Sequence, residues 1–392
     1  MTFAELDVAP ELIAALGKQQ ITEPTAIQVA AIPVLAAGRD AYMNAETGTG
    51  KTLAYLLPIF GRLDAGQAAT QAVIVAPTHE LAIQIQRQCT DLARNAGWPI
   101  RALLLIGGTA MDRQIEKLKQ KPHVVVGSAG RIRDMIAKGK LKTHAVRSIV
   151  IDEADRLLAL ESMPSIRAII AAAPKSRQLI FASATVQDES TAILAKLAPG
   201  LDMVRTGSAP VNANIEHLYL VCEERDKPEV VRRLIHALQP ERAMVFVHRN
   251  QTAQEVAAKL AHHKIAAVDL HAGSDKGDRK RAMDDFRAAR ARVLISSDVA
   301  ARGLDIAGVT HILNLDAPAQ SKAYLHRVGR TARAGAQGQA VTLVTRGEVR
   351  LVRRYEAELG IVMRHVRLRE GRLIPAGGTP RARPGRSATE RA

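Results

Sequence analysis

Short apolar runs alternate with polar turns and helix-like segments along most of the chain. The runs occupy residues 72–76, 102–106, 124–126, 148–151 and 178–181 in the first half, and 243–247, 266–270, 293–295, 311–315 and 340–344 in the second. Strands that alternate with helices at this spacing form parallel sheets covered by helices on both faces. The pattern therefore predicts an α/β fold.

The length of the chain and its breaks in pattern predict two domains. A chain of 392 residues suits about two domains, and residues 206–214 (TGSAPVNAN) are small or turn-forming and lack periodicity. We therefore predict domains at 1–205 and 215–365, joined by a linker at 206–214. From residue 366 onward glycine, proline and arginine replace apolar residues. This composition predicts a disordered basic tail over 366–392.

The composition of the chain limits the classes of molecule that the protein is expected to bind. The net charge of +16 favours a polyanion, although a ribosome-associated factor or another basic enzyme would fit equally well. Aromatic residues make up 3% of the chain, which favours contacts to the nucleic-acid backbone over stacking on bases. The chain has two cysteines and no long apolar stretch, and its first residues do not have the pattern of a secretion signal. We therefore expect a cytoplasmic protein without disulfides.

A glycine-rich segment follows a short strand-like run, AYMN, and precedes a helical one. Its residues are Ala45, Glu46, Thr47, Gly48, Thr49, Gly50, Lys51 and Thr52. The Gly-Lys-Thr ending is typical of a phosphate loop, in which backbone N–H groups and lysine bind phosphates and the hydroxyl binds Mg²⁺. Since Ala45 stands where the common pattern has glycine, a chance glycine-rich turn stays open as an alternative.

Two carboxylates end the buried run at 148–151. Asp152 can hold Mg²⁺ through water, and Glu153 can polarise the water that attacks the γ-phosphate. The alternative is a solvated acidic helix start. The phosphate loop about 100 residues upstream favours catalysis.

Taken together, these motifs make the sequence resemble the DEAD-box RNA helicases. The resemblance spans about residues 3 to 345. Segments in the family's order are residues 23–28 (EPTAIQ), 77–82 (PTHELA), 107–108 (GG), 152–155 (DEAD), 183–185 (SAT), 297–305 (SDVAARGLD) and 326–333 (HRVGRTAR). The resemblance implies two tandem RecA-like domains and an ATP-dependent enzyme that separates short RNA duplexes, with ATP and Mg²⁺ as cofactors.

Roles for individual residues follow from the resemblance. Gln28 would read adenine, Ile21 occupies the position over the base, and Asp305 would contact the ribose. Arg330 and Arg333 resemble arginine fingers, which the second domain (the second lobe) would place against the γ-phosphate bound by the first. Residues expected to couple the lobes are Ser183, Ala184, Thr185, Arg302, His326 and Arg327. Residues expected to contact RNA are Pro77, Thr78, His79, Gly108, Thr109, Ser128, Gly130 and Arg131 in the first lobe, and Arg249, Gly273, Arg279, Ser297 and Asp298 in the second.

Some positions depart from the family pattern. Family members usually have arginine at the position of His79, threonine-proline at Ser128-Ala129 and an aromatic residue at Ile21. A DNA translocase of the same superfamily would share the phosphate loop, the acidic motif and the arginine fingers, and is kept as one alternative. Since the departures at His79 and Ser128-Ala129 weaken the expected RNA contacts, an ATP-gated RNA clamp with slow turnover is kept as another. The expected partners are RNA, bound largely independently of sequence, and ribosome-assembly or RNA-decay proteins. We expect a monomer.

Overall fold

The computed structural model describes residues 1–45, 49–158, 161–183, 188–205, 212–270, 276–301, 306, 308–332 and 336–377. The described residues form two compact units, one up to residue 205 and one from residue 212 onward. Within the described part of the chain, no helix is long and apolar enough to cross a membrane.

The strands of the first unit form a parallel sheet. They are β1 (Ala41–Asn44), β2 (Ala72–Val75), β3 (Ala102–Leu105), β4 (Val124–Gly127), β5 (Ser148–Asp152), β6 (Gln178–Ser183) and β7 (Asp202–Arg205). Their order across the sheet is β3-β4-β2-β5-β6-β1-β7. Parallel neighbours place their carboxyl ends at one edge of the sheet. The loops that leave this edge therefore lie side by side.

Helices cover both faces of this sheet. They are α1 (Pro10–Gly17), α2 (Ala26–Ala36), α3 (Lys51–Gly61), α4 (His79–Ala96), α5 (Met111–Leu118), α6 (Ala129–Ala137), α7 (Ala154–Leu157), α8 (Met163–Ala171) and α9 (Asp188–Leu197). Alternate residues of each strand enter different cores: Ile74 and Val150 pack on one face, while Val73 and Ile149 pack on the other. Burial on both faces explains why these strands are continuously apolar.

The second unit repeats the plan with a second sheet. Its strands are β8 (Ile215–Val221), β9 (Ala243–Phe246), β10 (Ala267–Leu270), β11 (Val293–Ser296), β12 (His311–Asn314), β13 (Gly338–Val344), β14 (Arg364–Arg369) and β15 (Arg372–Pro375). The order is β10-β11-β9-β12-β13-β8-β14-β15. Its helices are α10 (Lys227–Leu238), α11 (Asn250–His262), α12 (Lys276–Arg287), α13 (Asp298–Ala301), α14 (Ser321–Val328) and α15 (Val349–Leu359).

The predicted α/β fold with two parallel-sheet domains is confirmed. Each apolar run of the sequence coincides with a strand, from β2 to β6 and from β9 to β13. Strands β7 and β8 were not predicted. The exact limits proposed for the domains and the linker remain predictions.

The prediction of a disordered tail from residue 366 is wrong for its first part. Strand β14 pairs in parallel with β8, and β15 pairs with β14 in an antiparallel hairpin. Val366 is buried in the same apolar cluster as Leu218 and Leu220, and Leu368 and Leu373 pack against it. Alternating arginines had hidden this short strand pattern. Residues 378–392 of the predicted tail lie outside the described residues.

Candidate nucleotide site and nucleic-acid edge

The phosphate-loop segment leaves the sheet next to the predicted coupling segment. Asn44 of β1 lies beside Ser183 of β6, and the backbone N–H of Ala45 donates to the carbonyl of Ser183 over 3.1 Å. On the other side of β6, Ala182 lies beside Asp152 of β5. The three neighbouring strand ends thus bring together the start of the loop, Ser183 and Asp152. Ligands of open α/β sheets bind at such carboxyl ends.

Helix α3 begins directly at Lys51, after Gly50. Gly50 has a left-handed backbone (φ 91°), and Lys51 Nζ donates a hydrogen bond to the carbonyl of Ala45. The ammonium group therefore lies at the start of the loop and at the positive end of a helix. An anion placed there would meet both charges, which is the electrostatic requirement of a phosphate site.

Gln28 connects helix α2 to the loop. Its Oε1 accepts from the backbone N–H of Thr25 over 2.9 Å, and its Nε2 donates to the carbonyl of Gly50 over 3.1 Å. The side chain is buried. An amide has two N–H donors and two acceptor lone pairs, so one of each stays available. Gln28 can therefore orient the loop and still read the edge of a base, provided that adenine lies beside it.

Asp152 is held by two hydrogen bonds. Tyr55, one turn into α3, donates from its hydroxyl to Oδ2 over 2.9 Å, and the backbone N–H of Glu153 donates to Oδ1 over 2.9 Å. Burial raises the pKa of Asp152, while the charge of Lys51 opposes that shift. Burial also raises the pKa of Tyr55, which stays protonated and acts as the donor. Thr52, the other predicted Mg²⁺ ligand, lies three residues before Tyr55 on the same side of α3.

Glu153 adopts an uncommon backbone conformation at the start of α7. Its φ is 50° and its ψ is 53°, a left-handed conformation that is unfavourable for a residue with a side chain. Arg156 Nη1 lies 3.8 Å from Glu153 Oε2. Both side chains are about one third exposed. The carboxylate thus borders solvent, where a water molecule can reach it.

The predicted RNA contacts of the first unit leave the neighbouring ends of β2, β4 and β3. A Cβ atom added to Gly107 would lie 3.5 Å from His79 Nε2, so the ring of His79 covers the loop after β3. Arg131 Nη1 donates to the carbonyl of Thr109 over 3.2 Å. The N–H of Ser128 donates to the carbonyl of Leu105 over 3.0 Å. The three loops therefore form one connected surface.

Backbone geometry explains several of the small residues there. A Cβ at Gly127 would lie 1.9 Å from the carbonyl oxygen of Leu105, so only glycine allows β3 and β4 to approach this closely. Gly108 has φ 70°. The Thr78 hydroxyl accepts from the N–H of Leu81 over 3.2 Å and caps α4. Pro77 and Gly130, the remaining predicted RNA contacts of the first unit, are partly exposed.

In the second unit Arg327 lies inside the domain. Its side chain is 1% exposed, and its guanidinium donates to both oxygens of Asp298 over 2.6 and 2.7 Å. The same group donates to Asn314 Oδ1 and to the carbonyl of Asp316, and lies 5.1 Å from the centre of the Phe246 ring. Arg327 thus connects the carboxyl ends of β9 and β12 with the start of α13, which follows β11. Its predicted role in coupling the lobes remains a prediction.

The other predicted residues of this unit lie around the same edge. Arg249 occupies the position just before α11 and is exposed, and Arg279 Nη2 donates to the carbonyl of Ala300 over 2.8 Å. The Ser297 hydroxyl accepts from the N–H of Ala300. His326 on α14 and Arg330 just beyond it are partly exposed. Asp298 is engaged by Arg327, so an RNA contact there would have to share its oxygens.

Comparison with known proteins gives consistent matches. Residues 25–193 match the family model described as DEAD/DEAH box helicase, and residues 226–335 match the helicase conserved C-terminal domain. The chain is 38% identical to the DEAD-box ATP-dependent RNA helicase CshC of Bacillus cereus over 94% of each chain. It is 37% identical to CshA of Geobacillus kaustophilus, over 89% of this chain and 74% of that protein. The chain belongs to the DEAD-box ATP-dependent RNA helicases.

Solved structures support the fold of this helicase. S. cerevisiae Dbp5 bound to RNA and ADP BeF3 matches with a TM-score of 0.84 and 28% identity, over 93% of this chain and 95% of that one. Mss116p bound to single-stranded RNA and AMP-PNP matches with a TM-score of 0.82 and 26% identity, over 94% and 79%. The two RecA-like domains expected from the family resemblance are therefore confirmed.

Ile21 of the DEAD-box protein is partly buried and packs against the apolar core of the first domain. Its N–H donates to the carbonyl of Leu16 over 3.0 Å. A place over the adenine base stays a prediction for this residue. Several other predicted site residues lie outside the described residues, namely Glu46, Thr47, Gly48, Ala184, Thr185, Gly273, Arg302, Asp305 and Arg333.

Sequence reasoning missed two residues that lie at the candidate nucleotide site. Tyr55 lies among the apolar residues of LAYLLPIF, where a tyrosine is indistinguishable from an ordinary core residue. Its spacing of four residues from Lys51, one helical turn, was the available signal. Arg156 follows Glu153 by three residues on a short helix, and the same helical spacing could have identified it.

Proposed function

We propose that this helicase couples ATP hydrolysis to the local separation of short RNA duplexes through closure of its two domains. The observation that carries the proposal is the meeting of three strand ends, which places Lys51, Asp152 and Ser183 at one edge of the first sheet. Phosphate binding, Mg²⁺ binding and coupling to the second domain can therefore share one site.

In this proposal the chain binds ATP through its loop and helix start. Thr49, Gly50, Lys51 and the N-terminus of α3 would hold the phosphates, and Gln28 would select adenine over guanine by donating and accepting at once. Asp305 would contact the ribose, as the family resemblance implies.

The donor set fits Mg²⁺. Magnesium is usually held by one or two carboxylates together with phosphates and water, and each oxygen of Asp152 uses one lone pair for Tyr55 or Glu153 and keeps another. Within the described residues, no group of three histidine, cysteine or acidic side chains could hold a metal by itself. When bound, Mg²⁺ would neutralise charge on the phosphates. Thr52 and Asp152 would hold it.

The chemistry would depend on charges from both domains. Glu153 would accept a proton from the attacking water, which its solvent border allows. Arg330 and Arg333 would stabilise the charge that develops on the γ-phosphate, because guanidinium is planar and permanently charged. Supplying that charge from the second domain would make hydrolysis depend on closure.

RNA would bind along the loops at the carboxyl edges of the two sheets. The surface built by His79, Thr109, Ser128 and Arg131 presents backbone groups, hydroxyls and one guanidinium, which suit phosphates and 2′-hydroxyls more than bases. Arg249 and Arg279 would contribute on the second domain. Such contacts carry little sequence information. We also propose that the protein is a cytoplasmic monomer and that its partners are ribosome-assembly or RNA-decay proteins.

The test compares ATP hydrolysis stimulated by RNA and by DNA of equal length. We expect strong stimulation by RNA and little by DNA. The variant Glu153→Gln should keep ATP and RNA binding but lower turnover by about 10²-fold or more, because a positioned proton acceptor is lost. Equal stimulation by DNA would favour a DNA translocase. If Glu153→Gln kept more than about half of the normal turnover, Glu153 would not be the proton acceptor.

A further inference from the structure

The hairpin of β14 and β15 presents arginines on one face. Arg367 and Arg369 alternate with the core-facing Val366 and Leu368, and Arg372 lies directly opposite Arg369. These three arginines, named here the basic hairpin, are exposed. Like charges at directly opposed strand positions repel each other, so the pairing of Arg369 with Arg372 does not stabilise the hairpin.

Local carboxylates neutralise this charge incompletely. Residues 346–377 contain eight arginines, no lysine, four glutamates and no aspartate, which leaves a charge of +4. Glu348 is engaged by Lys227 and Glu356 by Arg353, while Glu370 lies beside Arg369 at 3.3 Å. Within the described part of the chain, Arg367 and Arg372 have no ion-pair partner. An anion of suitable shape would therefore gain from binding here.

The position of the hairpin favours RNA as this anion. Because β14 runs parallel to β8, its last residues lie at the carboxyl edge of the sheet, the edge from which Arg249 leaves β9. Four strand steps separate β9 from β14. Neighbouring strands lie about 4.8 Å apart, so these steps span about 19 Å. A polyanion held near Arg249 could reach the hairpin without leaving this edge.

We propose that Arg367, Arg369 and Arg372 form a second RNA-backbone contact, outside the helicase motifs, for the RNA segment that flanks the one held by the motifs. The inference rests on the proposed RNA binding of the domain edge. Three exposed guanidinium groups on a two-stranded hairpin suit phosphates of the backbone more than the face or edge of a base. The contact would hold the helicase on long RNA and would leave ATP turnover unchanged.

The test uses the full chain with R367Q/R369Q/R372Q. Two single-stranded RNAs are compared, one long enough only for the motif contacts and one with a flanking extension. For the extended RNA we expect a loss in affinity on the order of tenfold at low salt, and a salt slope about 2 smaller between about 50 and 200 mM, since each lost phosphate contact contributes about 0.7. The short RNA should bind equally well to both proteins. Turnover at saturating RNA should be unchanged.

Two further variants serve as controls. K138Q/K140Q/K142Q removes the same charge from an exposed loop of the first domain, and RNA binding should stay normal. R367K/R369K/R372K keeps the charge and should restore most of the affinity. Its recovery would also exclude a folding defect.

The outcomes separate this inference from the proposed function. Parallel salt slopes and equal affinities for the extended RNA would overturn the second contact while RNA-stimulated turnover persists. An equal loss on the short RNA would place the hairpin within the motif contacts and overturn the inference. If the triple variant kept normal RNA binding but lost binding to phosphatidylglycerol vesicles, the hairpin would contact a lipid surface instead of RNA. A wild-type chain that bound neither RNA would contradict the proposed function itself.

Discussion

The hydroxyl of Tyr55 donates a hydrogen bond to Oδ2 of Asp152 over 2.9 Å, and both side chains are buried. The phenol therefore fixes the orientation of the carboxylate that would hold Mg²⁺. Thr52, the other proposed ligand, lies three residues earlier on the same side of α3. We therefore expect Tyr55 to act as a positioning residue for the proposed metal site.

The variant Tyr55→Phe removes only this hydroxyl. Since a hydrogen bond to a charged group contributes about 1.5–3 kcal/mol, we expect the gain in ADP affinity on adding Mg²⁺ to fall by about tenfold or more. Binding without Mg²⁺ should change little. Titration with a fluorescent ADP measures both. Tyr42→Phe removes a buried hydroxyl that bonds Ser183, and should keep the normal response to Mg²⁺. An unchanged response in Tyr55→Phe would show that the hydroxyl is dispensable.

Gly50→Ala should abolish most nucleotide binding. The added Cβ would lie 2.5 Å from Gln28 Nε2, and φ is 91°, a conformation that residues with side chains rarely adopt. Either Gln28 or the loop must move. Gly61→Ala at the end of the same helix meets nothing within 4 Å and is the matched control. Isothermal titration with ATP compares the two variants, and normal affinity in Gly50→Ala would contradict the loop geometry.

Arg330→Ala should lower turnover by about 10³-fold or more while ATP binding changes only slightly, because an arginine finger acts mainly on the transition state. The measurement is the RNA-stimulated rate at saturating ATP, together with ATP affinity. Arg225→Ala, at an exposed position in the same domain, is the control and should keep normal turnover. A variant that lost ATP affinity but kept its maximal rate would assign Arg330 to binding.

The second domain should lose stability in mild acid. Burial lowers the pKa of His217 to about 4 from an ordinary value of 6.5, and His217 Nδ1 lies 2.7 Å from the Tyr324 hydroxyl. Below pH 6.5 the unfolded chain binds a proton that the folded chain does not, so stability falls as pH decreases toward 4. From pH 7 to pH 5 the loss from this residue is about 2 kcal/mol.

Urea unfolding at the two pH values measures this effect. His217→Gln, which can still hydrogen-bond to Tyr324, should lose the share of the pH dependence that comes from one proton. His311 also has a pKa lowered by burial, so part of the dependence should remain. Identical pH dependence in the variant and the wild type would show that His217 does not contribute.

The sequence predicted the features that depend on local patterns. Apolar runs such as 72–76 and 148–151 were identifiable because strands buried on both faces are continuously apolar. The candidate phosphate loop and Asp152 could be singled out because their residue types and spacing are those that phosphate and Mg²⁺ binding would require. The hydrogen bond of Tyr55 to Asp152 joins residues 97 positions apart. Only the register of β1, β6 and β5 against α3 brings these residues together.

The burial of a side chain was harder to predict from the sequence than the element on which it lies. Arg327 belongs to a motif that implies an exposed coupling role, yet its side chain is buried by Asp298, Asn314 and Phe246. Partners at the carboxyl ends of three different strands compensate the burial of that charge, and none is adjacent to it in sequence. The hairpin after residue 363 was missed for a related reason, since its few apolar residues gain stability only by packing against β8.

Strand β15 ends the second sheet among the described strands, and its composition disfavours edge-to-edge pairing with another chain. An open strand edge presents unpaired N–H and C=O groups to other chains. This strand is four residues long, begins with Arg372 and ends with Pro375, whose nitrogen has no hydrogen to donate. A chain cut before Arg372 would instead expose β14, which carries Val366 and Leu368. Such a truncated helicase should aggregate through edge-to-edge pairing even where its catalytic residues are intact.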